Sequence, residues 1–461
     1  MMIAMSRTRM TLLTLALLAV AHPLFTVILV AGPVAVIAFH AWQFLVPPVA
    51  WTVFAIAGHV LDRTPLPGVP VRPGEEPELA RLVSDIAEQL QIRRPLAVRV
   101  VPSVDAAVYD QKLRGKPASV IVLGWPLVKH LSADEMRAVV AHELAHREHL
   151  DDTWLGRMLT ARAQLAETTP GLLRPQRWRS ALLRATQPAS YTQELASDAA
   201  AARVAGAPAT AAALRDMDRL DAAYDLLAAT WVEVLAEQEQ WPEDLFAAMD
   251  QALQDPWVNH RIDRMLAQLP PHGDDDSHPS TAERLAALGV AALEPGAPLQ
   301  LRRGQEIEAQ VAELVAEPDE SPVSILGMEP DALHDDDSSQ DLIDEIVDLT
   351  DTESPAQALV EVHSLVRDGH WRQFAQRLEP GLRHAPVDVR AVGERMVMGG
   401  AVSRLLVPQL RLAGWQRASR WVRSPLVRPD GSTVDVRDVI DTALATGDST
   451  ELDVLVSQVR T

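Results

Sequence analysis

The sequence contains no cysteine and few aromatic residues, which make up 4% of its 461 positions. Without cysteine the chain has neither disulfide bonds nor thiolate ligands for a metal. With so few aromatic rings, the core must be built mainly from alanine, leucine and valine. Positive charge is also scarce, since 42 Lys and Arg stand against 63 Asp and Glu. The net charge of −21 argues against nucleic-acid binding as the main role.

Charged residues are absent altogether from Met10 to Leu61. This apolar run is about twice as long as one bilayer crossing requires, or longer. Gly32-Pro33 divides the run, which predicts transmembrane helices at about 11–31 and 34–60. A signal peptide fits less well, because its apolar core is about 7–15 residues long and precedes a cleavage site. We therefore expect residues 1–61 to anchor the chain in a lipid bilayer.

The charges that flank this run predict its orientation. Arg7 and Arg9 precede it, and Arg63 and Arg72 follow it. Positive charge at both ends of a helical hairpin places both ends in the cytoplasm. The expected location is the cell membrane (inner or plasma membrane), with the N-terminus and the folded remainder on the cytoplasmic side. The reversed topology is the alternative.

Residues 142–146, which read His-Glu-Leu-Ala-His, form the motif that carries the most chemistry. His142 and His146 lie one helical turn apart, so both imidazoles can reach one metal ion. Glu143 lies beside them and can act as a general base toward water. This H-E-x-x-H arrangement is typical of zinc hydrolases. His149 cannot join the site, because a helix rises about 10 Å between the first and last of the three histidines.

A third zinc ligand is expected from the alanine-rich segment that ends at Gly206. Glu194 and Asp198 lie one turn apart on this predicted helix. Glu194 could bind the metal, while Asp198 could accept the second ring N–H of a ligand histidine. An isolated pair of this kind usually marks a solvated face. The surrounding alanines instead indicate close packing against another helix.

A third segment could support the transition state of peptide hydrolysis. His278 precedes a predicted helix that starts near Pro279, and Arg284 projects from that helix. The histidine could stabilise a developing oxyanion, and the arginine could pair with Asp198. Helix capping is the simpler explanation for a His-Pro step alone.

The secondary structure before these motifs fits a peptidase. Apolar spacing predicts a helix over Glu76–Gln91, and β-branched runs predict strands at Leu96–Val101 and Ser119–Leu123. Ser132 and Glu135 form a capping box that starts the metal-binding helix. An edge strand could pair with an extended substrate. The residues expected in that role are Val120, Ile121, Val122 and Leu123.

Taken in order, the motifs resemble the integral-membrane zinc peptidases typified by HtpX and the CAAX prenyl endopeptidases. The resemblance extends over roughly Glu75 to Gly289. It rests on His142-Glu143-x-x-His146 with Asp151 five residues later, on Glu194-x-x-x-Asp198, and on His278-Pro279-Ser280 with Arg284.

The resemblance implies a gluzincin that hydrolyses proteins or peptides. One Zn²⁺ per chain would be bound by His142, His146 and Glu194. Glu143 would be the general base, and His278 would assist the transition state. Asp198, Arg284 and Asp151 would support the site.

Two features depart from the family pattern. The family usually carries another membrane hairpin after the metal helix, whereas Trp154–Gln193 contains six arginines and cannot span a bilayer. Asp105-Ala106-Ala107 also stands where the family commonly has Asn-Ala. A catalytic domain on a single N-terminal hairpin would have a more open cleft.

Beyond the peptidase motifs, composition changes sharply. From Gly304 to Val366 there is no Lys or Arg, which predicts a largely disordered acidic linker. Within it, a short amphipathic helix is predicted from Leu342, Ile343, Ile346, Val347 and Leu349. The arginine-rich segment after the linker could be an ordinary helical domain, could dock on anionic lipids, or could contact the acidic linker. The sequence does not fix the oligomeric state.

The predicted fold class is α+β and mostly helical. In chain order we expect the membrane anchor (1–61), a juxtamembrane linker (62–74), a gluzincin-type zinc peptidase domain with a small sheet (75–290), the acidic linker (291–357) and a helical C-terminal domain (358–461). Trp231, Trp241 and Trp257 are expected as packing anchors. The main alternative is a catalytically idle membrane adaptor that keeps the zinc-stabilised fold and binds partners.

Overall fold

The computed structural model describes residues 66–113, 116–150, 156, 158–159, 161–162, 165, 176–267, 278–291, 296–317, 319–329, 337–385 and 387–459. The predicted transmembrane helices at 11–31 and 34–60 lie outside these residues. Among the helices that the structure does describe, none combines the length and apolar character needed to cross a membrane.

The structure is mostly helical with small sheets, as the sequence predicts. The strands are β1 (Val69–Val71), β2 (Leu96–Val101), β3 (Ala106–Leu113), β4 (Lys116–Gly124), β5 (Gln240–Pro242), β6 (Ser321–Val323), β7 (Gln416–Arg417), β8 (Pro425–Val427) and β9 (Thr433–Asp435). The helices up to the acidic segment are α1 (Pro77–Gln89), α2 (Trp125–His130), α3 (Ala133–Leu150), α4 (Gln176–Ala205), α5 (Ala207–Leu227), α6 (Glu233–Glu237), α7 (Leu245–Ala252), α8 (Pro256–Ala267), α9 (Thr281–Leu288) and α10 (Gly304–Ala312). The later helices are α11 (Asp337–Thr350), α12 (Pro355–Arg367), α13 (Trp371–Leu378), α14 (Val387–Leu412), α15 (Val436–Thr446) and α16 (Thr450–Ser457).

These elements belong to two compact units. The first comprises the described residues up to Met217 and those of the segment His272–Ile307, and the second those of Asp218–Pro271 and Glu308–Thr461. The first unit contains the four-stranded sheet of β1 to β4 and the three sequence motifs. The second contains the C-terminal helices together with α6, α7 and α8.

The sheet of the first unit has the strand order β1-β2-β4-β3. Strands β2 and β4 are parallel, whereas β1 and β3 pair antiparallel to their neighbours. The strands predicted at Leu96–Val101 and Ser119–Leu123 are thus confirmed as β2 and as part of β4. Strand β1 falls within the predicted juxtamembrane linker (62–74), so that part of the linker belongs to the sheet.

The expectation that Val120, Ile121, Val122 and Leu123 form an edge strand is wrong. All four residues lie in β4, which pairs with β2 on one side and with β3 on the other. Their backbone groups are therefore already hydrogen-bonded to the neighbouring strands, and their side chains are buried. The edge of the described sheet next to α3 is β3 instead.

Helix α3 is the central helix of the first unit. Ser132 and Glu135 form the predicted capping box, with the Ser132 N–H donating to Glu135 Oε2 at 2.7 Å and the Glu135 N–H donating to Ser132 Oγ at 3.3 Å. Helix α1 packs on α3, and α4 packs along it. Ala141 and Ala145 of α3 and Ala200 and Ala201 of α4 are buried. The close helix packing expected from the alanine-rich segment is confirmed.

The prediction of a largely disordered linker over 291–357 is wrong for much of that range. Strand β6 pairs with β5, and Asp244 accepts hydrogen bonds from the backbone N–H groups of Ile325 and Leu326 at 2.7 and 3.0 Å. Arg420 donates to the carbonyl oxygens of Ile325 and Met328, both at 2.8 Å. An acidic composition does not prevent order here, because groups distant in sequence satisfy the backbone.

The predicted amphipathic helix is confirmed as α11, which packs through its apolar face. Ile346 is fully buried in the core of the second unit, and Leu342, Ile343 and Val347 pack against that core. The core is otherwise formed by apolar residues from α12 to α16 with their connecting strands. At α11 the acidic segment therefore contacts the C-terminal domain through apolar side chains, in addition to the hydrogen bonds that arginines of that domain donate to its backbone.

Several arginines of the second unit have structural partners. Arg377 donates to the Leu349 carbonyl oxygen at 2.9 Å, and Arg390 donates to that of Ala385 at 2.7 Å. Arg420 also lies over the Trp421 ring, 5.1 Å from its centroid. These contacts favour an ordinary helical domain over a surface of uncommitted cations. Of the predicted packing anchors, Trp231 is fully buried.

Candidate metal centre

Helices α3 and α4 bring together the three predicted ligands. His142 Nε2 lies 2.8 Å from His146 Nε2 and 3.5 Å from Glu194 Oε2. His146 Nε2 lies 3.1 Å from Glu194 Oε1. The three ligand atoms all lie within 4.8 Å of one another, so they point at one location.

This arrangement fits a zinc ion. Bonds of about 2.0–2.1 Å in a tetrahedral site place neighbouring ligand atoms about 3.3 Å apart, and the observed separations lie on both sides of that value. Glu194 is 4% exposed, and its Oε2 atom is buried without a hydrogen-bond partner among the described residues. Two imidazole nitrogens facing a partly unsatisfied carboxylate are a donor set suited to Zn²⁺. Three protein ligands leave a fourth position open, as in catalytic sites.

Asp198 and Arg284 orient the ligand His142 through hydrogen bonds. Asp198 Oδ1 lies 2.9 Å from His142 Nδ1. Arg284, on α9, donates to both carboxylate oxygens of Asp198, at 2.8 Å from Nε and 2.6 Å from a terminal nitrogen. The ion pair expected from the sequence is thus present in bidentate form. A carboxylate on Nδ1–H leaves Nε2 free to bind metal.

The electrostatics of the site favour charged ligands. Burial raises the pKa of Glu194, but its contacts with His142 and His146 outweigh burial and lower that pKa below its usual range. Burial lowers the pKa of His142, but Asp198, Glu194 and Glu143 together raise it to about 9. The Glu194 carboxylate and the protonated His142 ring thus stabilise each other's charge. A bound cation would replace the proton on His142.

Glu143 has the electrostatic environment of a general base. Burial raises the pKa of its carboxyl above the usual value, while the nearby His142 and His146 lower it. The carboxylates of Glu194 and Asp105 act in the raising direction. A raised carboxyl pKa lies closer to neutral pH, where proton transfer in both directions is efficient.

Of the other residues predicted for the site, only some lie close to the metal ligands. His278 stands before α9, with Nε2 3.4 Å from Glu194 Oε1, and its side chain is 61% exposed. It therefore lies at the mouth of the site. Asp151 lies outside the described residues. Val120, Ile121, Val122 and Leu123 belong to the sheet interior, as described above.

Two further features of the site are not predicted by the sequence. The edge strand β3 begins directly after Asp105 and adjoins α3. The side-chain amide of Gln193 lies 3.0 Å from His146 Nδ1. The position of β3 could have been predicted from Asp105-Ala106-Ala107, which stands where the family commonly has Asn-Ala. Nothing in the local sequence pattern distinguishes Gln193 from other helical glutamines.

A second cluster, formed by His260, Asp435 and Asp438, has the spacing of a metal site. The Asp438 carboxylate already faces a cation, since Arg264 Nε lies 3.3 Å from its Oδ1. The neighbouring Asp441 lies 2.8 Å from Arg437 Nε and 3.5 Å from a terminal nitrogen of Arg264. We assign this cluster to an ion-pair network that joins α8 and α15, because the arginines supply the positive charge that a metal would bring.

One comparison with known proteins, a match to a protein-family model, supports the assignment of this metal centre. Residues 73–292 match the family model of Peptidase family M48. Searches of curated proteins and of solved structures gave no match. The family match confirms the resemblance drawn from the three motifs, and the ligand cluster lies within the matched residues. Residues 73–292 therefore form a domain of peptidase family M48, a zinc metallopeptidase domain with His142, His146 and Glu194 as ligands.

Proposed function

We propose that this protein is a membrane-anchored zinc endopeptidase that hydrolyses proteins at the cytoplasmic side of the cell membrane, in membrane-protein quality control or processing. The observation that carries the catalytic part is the convergence of His142, His146 and Glu194 beside Glu143. The charge-free run from Met10 to Leu61 supports the anchor.

The chain's own residues would divide the chemistry of hydrolysis among them. Zinc, when bound, supplies a Lewis acid that polarises the scissile carbonyl and acidifies water. Glu143 would accept a proton from the attacking water and return it to the leaving amine nitrogen. His278 would donate an N–H to the carbonyl oxygen as that oxygen gains negative charge. The Asp198–Arg284 pair would hold the His142 ring in the ligating tautomer.

The substrate backbone would pair with β3. An extended peptide adds to an exposed sheet edge through main-chain hydrogen bonds. Strand β3 is the edge of the described sheet on the side of α3. Asp105, at its start, acts electrostatically on both Glu143 and His278, so a peptide on this edge would pass beside the general base.

Removal of the metal tests the catalytic proposal against a catalytically idle adaptor. We expect the purified full-length protein in detergent to contain one zinc per chain and to cleave casein. Dialysis against a strong chelator should abolish cleavage, and stoichiometric zinc should restore it. A protein that holds zinc but cleaves neither casein nor membrane proteins would favour the adaptor.

The position of the C-terminus tests the membrane proposal. With two N-terminal crossings, a tag placed after Thr461 should be protected from protease in intact cells and become accessible only after permeabilisation. A cytoplasmic marker protein and a marker of the opposite side serve as controls. Digestion of the tag in intact cells would establish the reversed topology. Extraction of the protein by alkaline carbonate would exclude an integral anchor.

A further inference from the structure

We propose that Gln193 is a positioning residue for the zinc ligand His146, holding its ring through the side-chain amide. This inference rests on the zinc site of the proposed function. Gln193 is 8% exposed, and the Nε2 atom of its amide lies 3.0 Å from His146 Nδ1. The same ring carries Nε2 toward Glu194 Oε1 at 3.1 Å. The two nitrogens of His146 thus face two consecutive residues of α4.

The tautomer of His146 decides which amide atom it meets. A metal-ligating imidazole nitrogen carries no proton, so a neutral His146 that binds through Nε2 must carry its proton on Nδ1. Nδ1–H then donates, and Gln193 must accept through Oε1. The oxygen and nitrogen of an amide exchange places by a half-turn of the group, and this half-turn brings Gln193 Oε1 to the Nδ1 proton. The reverse orientation would favour a proton on Nε2 and would block zinc binding.

The two ligand histidines therefore have partners of different charge. His142 Nδ1 faces the Asp198 carboxylate, whose charge is balanced by the bidentate Arg284. His146 Nδ1 faces a neutral amide. The Asp198–Arg284 pair adds no net charge to the site, whereas Glu194 and Glu143 each add a carboxylate close to the ligand histidines. A carboxylate in place of the Gln193 amide would add a further negative charge to this largely buried site. An amide orients the ring without adding charge.

The position of Gln193 on α4 explains how one helix holds the ring from two sides. Consecutive helical side chains point about 100° apart. Glu194 therefore reaches the metal side of His146, while Gln193 reaches the opposite nitrogen.

Zinc affinity of the full-length protein tests this role without any substrate. We expect Gln193→Met, which keeps the length and volume of the side chain but removes the acceptor, to weaken zinc binding about 10–100-fold. Gln193→Glu retains an acceptor oxygen and, although it adds the charge that the amide avoids, should bind zinc more tightly than Gln193→Met. The measurement is competition for zinc with a fluorescent chelator in detergent, with circular dichroism to verify the fold of each variant.

Gln187→Met is the matched control. Gln187 lies on the same helix, and its amide donates to the Tyr191 hydroxyl at 3.2 Å, so this variant should bind zinc like the native protein. Native affinity in Gln193→Met, or an equal loss in Gln193→Met and Gln193→Glu, would overturn the inference. A native chain that binds zinc without cleaving protein would refute the proposed function and leave this inference standing. A native chain that binds no zinc would refute both.

Discussion

Glu143→Gln is expected to lower kcat/KM for protein cleavage by a factor of about 10²–10⁴ while one zinc per chain remains bound. Glutamine has the same shape as glutamate but cannot accept a proton at neutral pH. The substitution therefore removes general base catalysis without removing a ligand, because His142, His146 and Glu194 form the metal cluster without Glu143. Metal analysis and casein cleavage on the same preparation measure both effects.

The matched control for this variant is Glu78→Gln, an exposed glutamate on α1. It makes the same chemical change away from the site and should keep native activity. Undiminished cleavage by Glu143→Gln would refute the assigned mechanism. Loss of zinc together with activity would show instead that Glu143 stabilises the site. Once the variant is shown to be inactive and zinc-loaded, comparing membrane proteomes of cells that carry it with those of native cells would identify substrates, since these accumulate uncleaved.

The metal ligands could be predicted from the sequence because their geometry is mostly local. Two histidines four residues apart on a helix must share a face, and this spacing requires no knowledge of the rest of the fold. Glu194 lies far along the chain, and its assignment depended on the motif order and on the alanines around it. Buried Ala145 and Ala201 supply the physical reason, since small side chains let α3 and α4 approach closely enough for one carboxylate to reach both imidazoles.

The substrate strand and the acidic segment could not be predicted in the same way. Strand β4 has the stronger β-branched pattern because it is buried between two neighbours, whereas the edge strand β3 opens with Ala106 and Ala107 and shows little alternation. A strong strand pattern therefore indicates the centre of a sheet rather than its edge. The order near Ile325 depends on Asp244 and Arg420, which lie 81 and 95 positions away along the chain. Rules based on local composition do not include such distant residues.

Arg284→Met is expected to lower the free energy of unfolding by about 3–5 kcal/mol, the range for breaking one side of a buried ion pair. Asp198 is 3% exposed at its side chain and Arg284 is 13% exposed. Without the guanidinium, the Asp198 carboxylate stays buried, and its remaining partner among the described residues is the imidazole N–H of His142. Denaturant titration of the full-length protein in detergent, at one fixed free zinc concentration for all variants, measures the loss.

Two further variants separate the cost of an unpaired charge from the loss of a contact. Arg72→Met breaks an exposed pair with Glu75, in which the arginine is 78% exposed, so it should change stability little. Adding Asp198→Asn to Arg284→Met removes the stranded charge while keeping an acceptor for His142. The double variant should therefore be more stable than Arg284→Met alone, although it lacks both charges of the pair. If the double variant is the less stable of the two, the Asp198 carboxylate does not need Arg284 to neutralise it, and the assigned cost of an unpaired buried charge is wrong.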